Sequence, residues 1–359
     1  MSLPLSPRYA TLLGMSHDSN DDPNAASKAD PQALIEAIVD SFPSNQWQDV
    51  TILMAVSGGA DSTAMLRAFH QLRQPGGLGE LCVAHFNHRW RQSDSDEDAK
   101  FVHDLCQSHN IKCFLGTADD AGNCNPTEQA AREHRYAFLT ETAKSIGARH
   151  ILTAHTRDDQ IETILHRIVR GTGLRGLRGI PKVRVLDESL TVVRPMLNAT
   201  REIVLAYLNE IDQPFRTDAS NSDDHYMRNR IRNQLLPLLR DSYHKDIDSS
   251  LLRLASIATE AHADAQLRVD RLIQQSVRIE CNKITIRRDG LNDGSLHELR
   301  ELASELWHRM GWPLQDMGFE RFDELANYFA DASLDLTTML PGKVRVEVTR
   351  ETVTLIRES

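Results

Sequence analysis

Val50-Thr51-Ile52-Leu53-Met54-Ala55-Val56-Ser57-Gly58-Gly59-Ala60-Asp61-Ser62 is the stretch that decides the fold. A mostly apolar run ends in small residues, and a helical pattern follows over residues 60–72. The two glycines let backbone amides approach an anion with no Cβ in the way. The helix start adds the positive end of its dipole. The hydroxyls of Ser57 and Ser62 can donate further hydrogen bonds. Ser57, Gly58, Gly59, Ala60, Asp61 and Ser62 together read as a cradle for phosphate or pyrophosphate. Asp61 is not attracted to phosphate, so a metal-bridging role is the natural one for it. The competing reading is a plain strand–turn–helix connection in which Asp61 and Ser62 act as caps. No Lys follows the glycines, which disfavours an ordinary Walker-type loop.

Outward from this point the alternation repeats. Strands are predicted over 81–86, 112–115 and 150–153, with helices over 93–108, 126–146 and 158–170. Short apolar strands separated by helices predict an α/β fold, a parallel sheet covered by helices on both faces. Asp30-Pro31 reads as the N-cap and first position of an earlier helix over 33–42. Further on come a Gly/Arg-rich stretch, a strand over 190–193, a helix over 199–210 and a basic helix over 226–239. Long helical periodicity over 244–277 leads to a second unit. There a strand (283–287), two helices (295–310, 315–329) and three short strands predict a small α+β domain. The expected organisation is a mobile tail (1–30), a catalytic domain (31–243), and a helical linker with a C-terminal domain (244–359).

Composition narrows the function class. The chain is 40% hydrophobic and 26% charged, too balanced for a disordered polymer. It has no apolar run long enough to span a membrane, and no secretory leader is expected at its start. Five scattered cysteines without a C-x-x-C pair fit a reducing cytoplasm and argue against a disulfide scaffold or zinc ribbon. The net charge is −10, which excludes an indiscriminate nucleic-acid binder. The balance is uneven, however. Residues 167–240 carry 13 basic against 8 acidic side chains, a local excess of +5. A focused basic patch on an acidic protein suits a selective nucleic-acid enzyme, although a solvated surface is the plainer explanation.

Ligands of parallel sheets bind beyond the carboxyl ends of the strands. Three polar clusters follow predicted strands: residues 57–62, 85–91 and 155–162. In His155-Thr156-Arg157-Asp158-Asp159-Gln160-Ile161-Glu162, Asp159 and Glu162 are three apart and share a helix face. These acids either stabilise the helix start or bind an amine, hold Mg²⁺ or act as a base. Glu128 and Arg132 stand i,i+4 on a helix that also carries Arg135 and Tyr136. Arg228, Arg230 and Arg232 alternate, so they can reach different partners. His85 and His88 lack further ligands at zinc-like spacing, and a loop against a nucleotide base fits them better. The acids of residues 94–98 read as a helix start rather than a site.

Taken together and in this order, the motifs resemble one family. Ser57-Gly58-Gly59-x-Asp61-Ser62 after a strand is the motif of the N-type ATP pyrophosphatases, or PP-loop enzymes, which adenylate a substrate carbonyl and release pyrophosphate. Ala84-His85-Phe86-Asn87-His88, Glu128-x-x-x-Arg132-x-x-Arg135-Tyr136 and His155-x-x-Asp158-Asp159-Gln160-x-Glu162-Thr163 narrow the resemblance. So do Arg170-Gly171-x-Gly173-Leu174-Arg175-Gly176-Leu177, Arg194-Pro195 and Asp218-x-Ser220-Asn221 leading to Arg228-Asn229-Arg230-Ile231-Arg232. This set resembles the bacterial tRNA(Ile)-lysidine synthetases over roughly residues 50–240. The remainder looks like that family's first C-terminal domain.

The resemblance implies a carbon–nitrogen ligase with three substrates. ATP would activate C2 of the wobble cytidine of tRNA(Ile), and an amine of free L-lysine would displace AMP to give lysidine. Residues 57–62 would hold the ATP phosphates, and Asp61 and Asp159 would attend Mg²⁺. Asp159 and Glu162 would face the lysine amine, and His155 would sit at the reacting centre. Arg132 and Arg228 would contact phosphates or the lysine carboxylate, a bidentate task that suits arginine. Arg89-Trp90 departs from the family's usual Gly-Leu, and the chain's end at Ser359 implies that a second C-terminal domain is absent. A sulfur-transferring tRNA enzyme, a small-molecule adenylating ligase and a non-catalytic tRNA-binding protein are the rivals. The lack of paired cysteines, the basic stretch and the carboxylate set weigh against them in turn.

Overall fold

A computed structural model describes residues 30–73, 77–87, 93–118, 128–217, 227–291 and 294–358. The expected mobile tail, His88 to Arg91 and the Asp218-Ala219-Ser220-Asn221 motif lie outside the described residues.

A six-stranded sheet runs in the order β3-β2-β1-β4-β6-β5. Its strands are β1 (Ile52–Ala55), β2 (Leu81–Asn87), β3 (Lys112–Thr117), β4 (His150–Thr153), β5 (Val183–Val185) and β6 (Thr191–Val193). All neighbours are parallel except β5, which pairs antiparallel with β6. The chain winds outward from β1 to β3, then returns to place β4 on the other side of β1. The order therefore reverses between β1 and β4, and the switch point beyond Ala55 and Thr153 is the expected ligand position in such sheets.

Burial explains why residues 52–54 show no polar alternation. Ile52, Leu53 and Met54 are all fully buried. Ile52 and Met54 join the core on one face, with Leu34, Ile38, Met65 and Phe69. Leu53 joins the other, with Leu139, Ala143 and Ile151. Each such side chain contributes about 1.5–3 kcal/mol when fully buried, so both faces of the central strand must be apolar.

Helices α1 (Gln32–Ser41), α2 (Ala60–Leu72) and α7 (Arg201–Glu210) belong to the first face, as does Val102 of α3 (Ser93–Ser108). Helix α4 (Glu128–Ser145) covers the second face. Helix α5 (Arg157–Val169) follows β4 and packs through Ile161, Ile164 and Leu165. A one-turn helix, α6 (Leu174–Leu177), falls in the Gly/Arg-rich stretch. Arg167 of the basic segment is absorbed there, donating through Nη1 to the carbonyls of Gly176 (2.8 Å) and Gly179 (2.7 Å).

The basic helix expected over 226–239 is present from Met227 to Ser242, with a π-helical turn inside it. Helix α8 (Met227–Arg230) passes into a π-helical segment (Ile231–Leu235), and α9 (Leu236–Ser242) follows. Pro237 is the cause: it has no N–H, and its ring excludes the carbonyl four residues back. The ladder widens, and Leu236 donates instead to Ile231 five residues earlier.

The 30-residue α10 (Ile247–Ser276) joins two cores. Leu251 and Ala255 pack on α5, while Val269 and Ile273 enter the core of a second, antiparallel sheet. That sheet runs β7-β8-β11-β10-β9, with β7 (Val277–Ile279), β8 (Lys283–Arg287), β9 (Leu336–Leu340), β10 (Val344–Val348) and β11 (Thr352–Arg357). Helices α11 (Leu296–Arg309) and α12 (Phe319–Ala330) cover it. Among the described residues no helix is long and apolar enough to cross a membrane.

Candidate active site

The loop after β1 is built to present amides. Gly58 has φ +94°, a conformation other residues rarely adopt. Its carbonyl accepts from the backbone N–H of Arg216 (2.9 Å) and from Thr63 Oγ1 (3.1 Å), which fixes the turn. The N–H of Ser57 donates to Ser62 Oγ at 3.1 Å, and Ser62 Oγ donates to the Gly59 carbonyl at 3.1 Å. Gly59 is the N-cap of α2 and offers no side-chain oxygen to the first amides of the helix. Those amides are donors in need of an acceptor.

Two more contacts hold this loop. His85 Nδ1 meets the Val56 carbonyl at 2.9 Å, so this buried histidine supports the cradle's entry. Arg216 is anchored by Asp98 (2.8 Å) and Glu97 (2.9 Å) of α3. The acid run at the start of α3 thus steadies the segment that bonds Gly58.

Asp61 projects from the first turn of α2. Its Oδ2 is 3.4 Å from Arg201 Nη1. Its Oδ1 is buried and has no hydrogen-bond partner among the described residues. Burial pushes the Asp61 carboxyl up to about 6; Asp159 and Asp158 add to the rise, and Arg201 and Arg232 oppose it. A carboxylate in that position gains from a cation.

The loop after β4 faces the cradle. Thr156 caps α5 in a capping box with Asp159, whose Oδ2 accepts from the Thr156 N–H at 2.8 Å. Asp159 and Glu162 share a face as expected, and Asp158 turns away from it. Asp158 accepts from the Arg201 backbone N–H at 2.9 Å, while Asp159 Oδ1 and Glu162 Oε2 accept from Arg228 at 2.8 and 2.9 Å. Arg232 also bonds Glu162, Nη2 lying 3.0 Å from Oε2. Glu162 is 1% exposed, so both its oxygens are committed to guanidinium groups. Arg228 and Arg232 are four apart in one helical run, and both reach this one acid.

His155 Nδ1 lies 3.1 Å from Thr153 Oγ1. Burial pushes its imidazole down to about 4, with Arg194, Arg135 and Arg228 helping and Asp159 opposing. It is neutral at neutral pH, and its surroundings resist a proton.

Arg132 stands apart from the acids. Its guanidinium lies 5.5 Å from the Tyr136 ring centre, and those of Arg135 and Arg184 lie at 5.8 and 6.0 Å. Arg194, 2% exposed, donates to the Pro181 carbonyl at 2.7 Å. The buried Nε atoms of Arg135 and Arg194 have no partner among the described residues. Nor is any of these four arginines in an ion pair among them. This concentration of positive charge needs an anion.

The structure therefore brings Ser57 to Ser62, Asp159, Glu162, Arg228 and His155 to the carboxyl ends of β1 and β4, with Arg132 on the α4 side. Sequence reasoning missed Arg201, Arg232 and Arg216 as parts of it. Arg232 had a signal in the arginine triplet, whereas Arg201 and Arg216 had none.

The PP-loop domain family matches residues 32–239. A tRNA(Ile)-lysidine synthase of Rhodopirellula baltica is 30% identical over 84% of this chain and 85% of its own length. The chain belongs to the tRNA(Ile)-lysidine synthase family. Relatives of that name from Bacillus licheniformis and a Nostoc species are 39% and 36% identical over 56% and 62% of this chain. The matches span only 43% and 63% of those two proteins. Among solved structures, a U34-tRNA thiolase of Methanococcus maripaludis has a TM-score of 0.53 at 12% identity, covering 64% of this chain and 79% of its own. That likeness concerns the fold alone.

Proposed function

We propose that this chain ligates free L-lysine to C2 of the wobble cytidine of tRNA(Ile), consuming ATP and releasing AMP and pyrophosphate. The observation that carries the proposal is the meeting of a phosphate cradle with Asp159, Glu162, Arg228 and a neutral His155 at one switch point. Family membership supplies the substrate class.

The chemistry needs these groups. A ring carbonyl has no leaving group until its oxygen bonds to the α-phosphorus of ATP and pyrophosphate departs. Residues 57–62 hold the phosphates through amides and hydroxyls. Asp61 and Asp159 are the acids that would hold Mg²⁺, and the partnerless Asp61 Oδ1 fits that task. Among the described residues no three or more acids, histidines or cysteines form a complete metal site, so ATP oxygens would complete the shell. Bound there, the ion supplies positive charge to the phosphates.

The amine of lysine is normally protonated, with a pKa of about 10.4, and must lose a proton to attack. Asp159 and Glu162 draw the ammonium into the site, displacing a guanidinium, and help remove its proton, with the neutral His155 at the reacting centre. Arg228, once released, is free to meet the lysine carboxylate. Attack on C2 then breaks the bond to the AMP oxygen. The arginines around Tyr136 sit where RNA phosphates flanking the cytidine can supply the missing anion.

Incubation with ATP, labelled lysine and minor isoleucine tRNA tests this directly. Label entering the tRNA, with AMP formed in equal amount, is the expected result.

A further inference from the structure

Arg201 lies at the junction between the phosphate cradle and α7, and its backbone is fixed on several sides. Its N–H donates to Asp158, Thr200 caps the helix through the Ile203 N–H, and Val204, Tyr207 and Leu208 are buried in the core that also holds α2. The Tyr207 hydroxyl also donates to Gln71 of α2 at 2.9 Å. The side chain, by contrast, is half exposed and reaches across 140 residues of sequence to Asp61.

That contact is long for a charge-assisted hydrogen bond, which prefers about 2.7–2.9 Å. A half-exposed single ion pair also adds little to stability. The pair is therefore poorly explained as a structural brace. Asp61 keeps one oxygen without a donor, and a cation on that carboxylate would take the acceptor from Arg201. The guanidinium is then left beside the cradle with no partner of its own.

Direction matters here. Helix α7 approaches from the α2 side of the sheet, whereas Tyr136 and its arginines approach from the α4 side. His155 and Asp159 stand beyond β4, between the two. The loop proposed to hold ATP phosphates runs into the first turn of α2, and Arg201 already reaches Asp61 of that turn.

We infer that Arg201 leaves Asp61 when ATP binds and holds the β- and γ-phosphates, and with them the departing pyrophosphate. In the adenylation step the carbonyl oxygen forms a bond to the α-phosphorus. The bond from that phosphorus to the α–β bridging oxygen breaks, and its electron pair leaves on pyrophosphate. Arg201 receives the charge that develops there. This assignment rests on the proposed ATP cradle, and its test needs neither lysine nor tRNA.

The test is calorimetric titration of ATP, AMP and pyrophosphate, each with Mg²⁺, into the full chain and its Arg201→Ala and Arg201→Lys variants. Arg201→Ala should weaken ATP and pyrophosphate by about 10- to 100-fold, the scale of a lost charged hydrogen bond, and leave AMP unchanged. Arg201→Lys should recover part of that loss. Unchanged pyrophosphate affinity in Arg201→Ala, or an equal loss for AMP, overturns the inference. Wild-type protein that binds none of the three overturns the cradle itself, a result distinct from any effect of Arg201.

Discussion

Arg228 lies over Glu162, its Nε 2.9 Å from Oε2 of an acid that is 1% exposed. Arg232 shares the same carboxylate. Removing one member of a buried pair costs about 3–5 kcal/mol, against about 0–1 for an exposed pair. Glu162→Ala leaves two guanidinium groups that are 44% and 38% exposed and can be hydrated, so it should lose about 1–3 kcal/mol of stability in urea unfolding, the scale of lost charged hydrogen bonds rather than of a stranded buried charge. A loss near zero would mean that the two arginines do not depend on this acid.

Asp159→Asn separates chemistry from folding better than any change at Glu162. The amide keeps an oxygen for the Thr156 N–H, so a fold loss of less than about 1 kcal/mol is expected, within the range of a cap. Lysine transfer should nonetheless fall at least tenfold while ATP binding falls less. Equal loss of transfer and folding in thermal melts would make Asp159 a cap alone.

Gly58 and Gly59 make a contrast within the cradle. Gly58→Ala meets ordinary contacts but sits at φ +94°, and should cost about 1–3 kcal/mol. At Gly59 an added Cβ meets only Ser57 Oγ, at 3.6 Å, and φ is −69°, so folding should tolerate alanine. Denaturation midpoints of both variants decide it; equal shifts would contradict the assigned turn.

His155 gives a pH signature. Its ordinary value is 6.5, and the folded value is about 4. Above 6.5 both states are neutral and nothing is linked. As pH falls from 6.5 to 4, the unfolded chain takes a proton that the folded chain refuses, so stability falls. Asp61 acts in the opposite sense: its folded carboxyl, raised to about 6, keeps a proton that the unfolded chain loses, so stability falls as pH rises through that range. Urea unfolding from pH 7 to 4.5 should show the His155 slope as a difference between wild type and His155→Asn. Parallel curves would contradict a buried neutral imidazole.

Arg184→Gln tests the positive cluster around Tyr136. Loss of one phosphate contact should weaken tRNA binding and lower the salt slope by about 1, with ATP affinity unchanged. An unchanged slope in filter binding across salt concentrations would remove the cluster from the RNA interface.

Much of this was legible in the sequence because local signals and tertiary needs coincide. Residues 52–54 are apolar at every position since both faces are covered, and the glycines at 58 and 59 announce the turn. Strand β5 was not legible: Val183 and Val185 are exposed, and only pairing with β6 makes them a strand. The π-helical segment was hidden because Pro237 acts on the turn before it. Arg201 looks like any residue at a helix start, and gains meaning only when α7 packs beside α2.

The central claim is tested most directly by following labelled lysine into tRNA(Ile) alongside AMP release. Transfer that requires ATP and the wobble cytidine, with one AMP formed per lysine incorporated, is the predicted result. AMP release without lysine in the tRNA, from folded protein with the cognate tRNA, would contradict it.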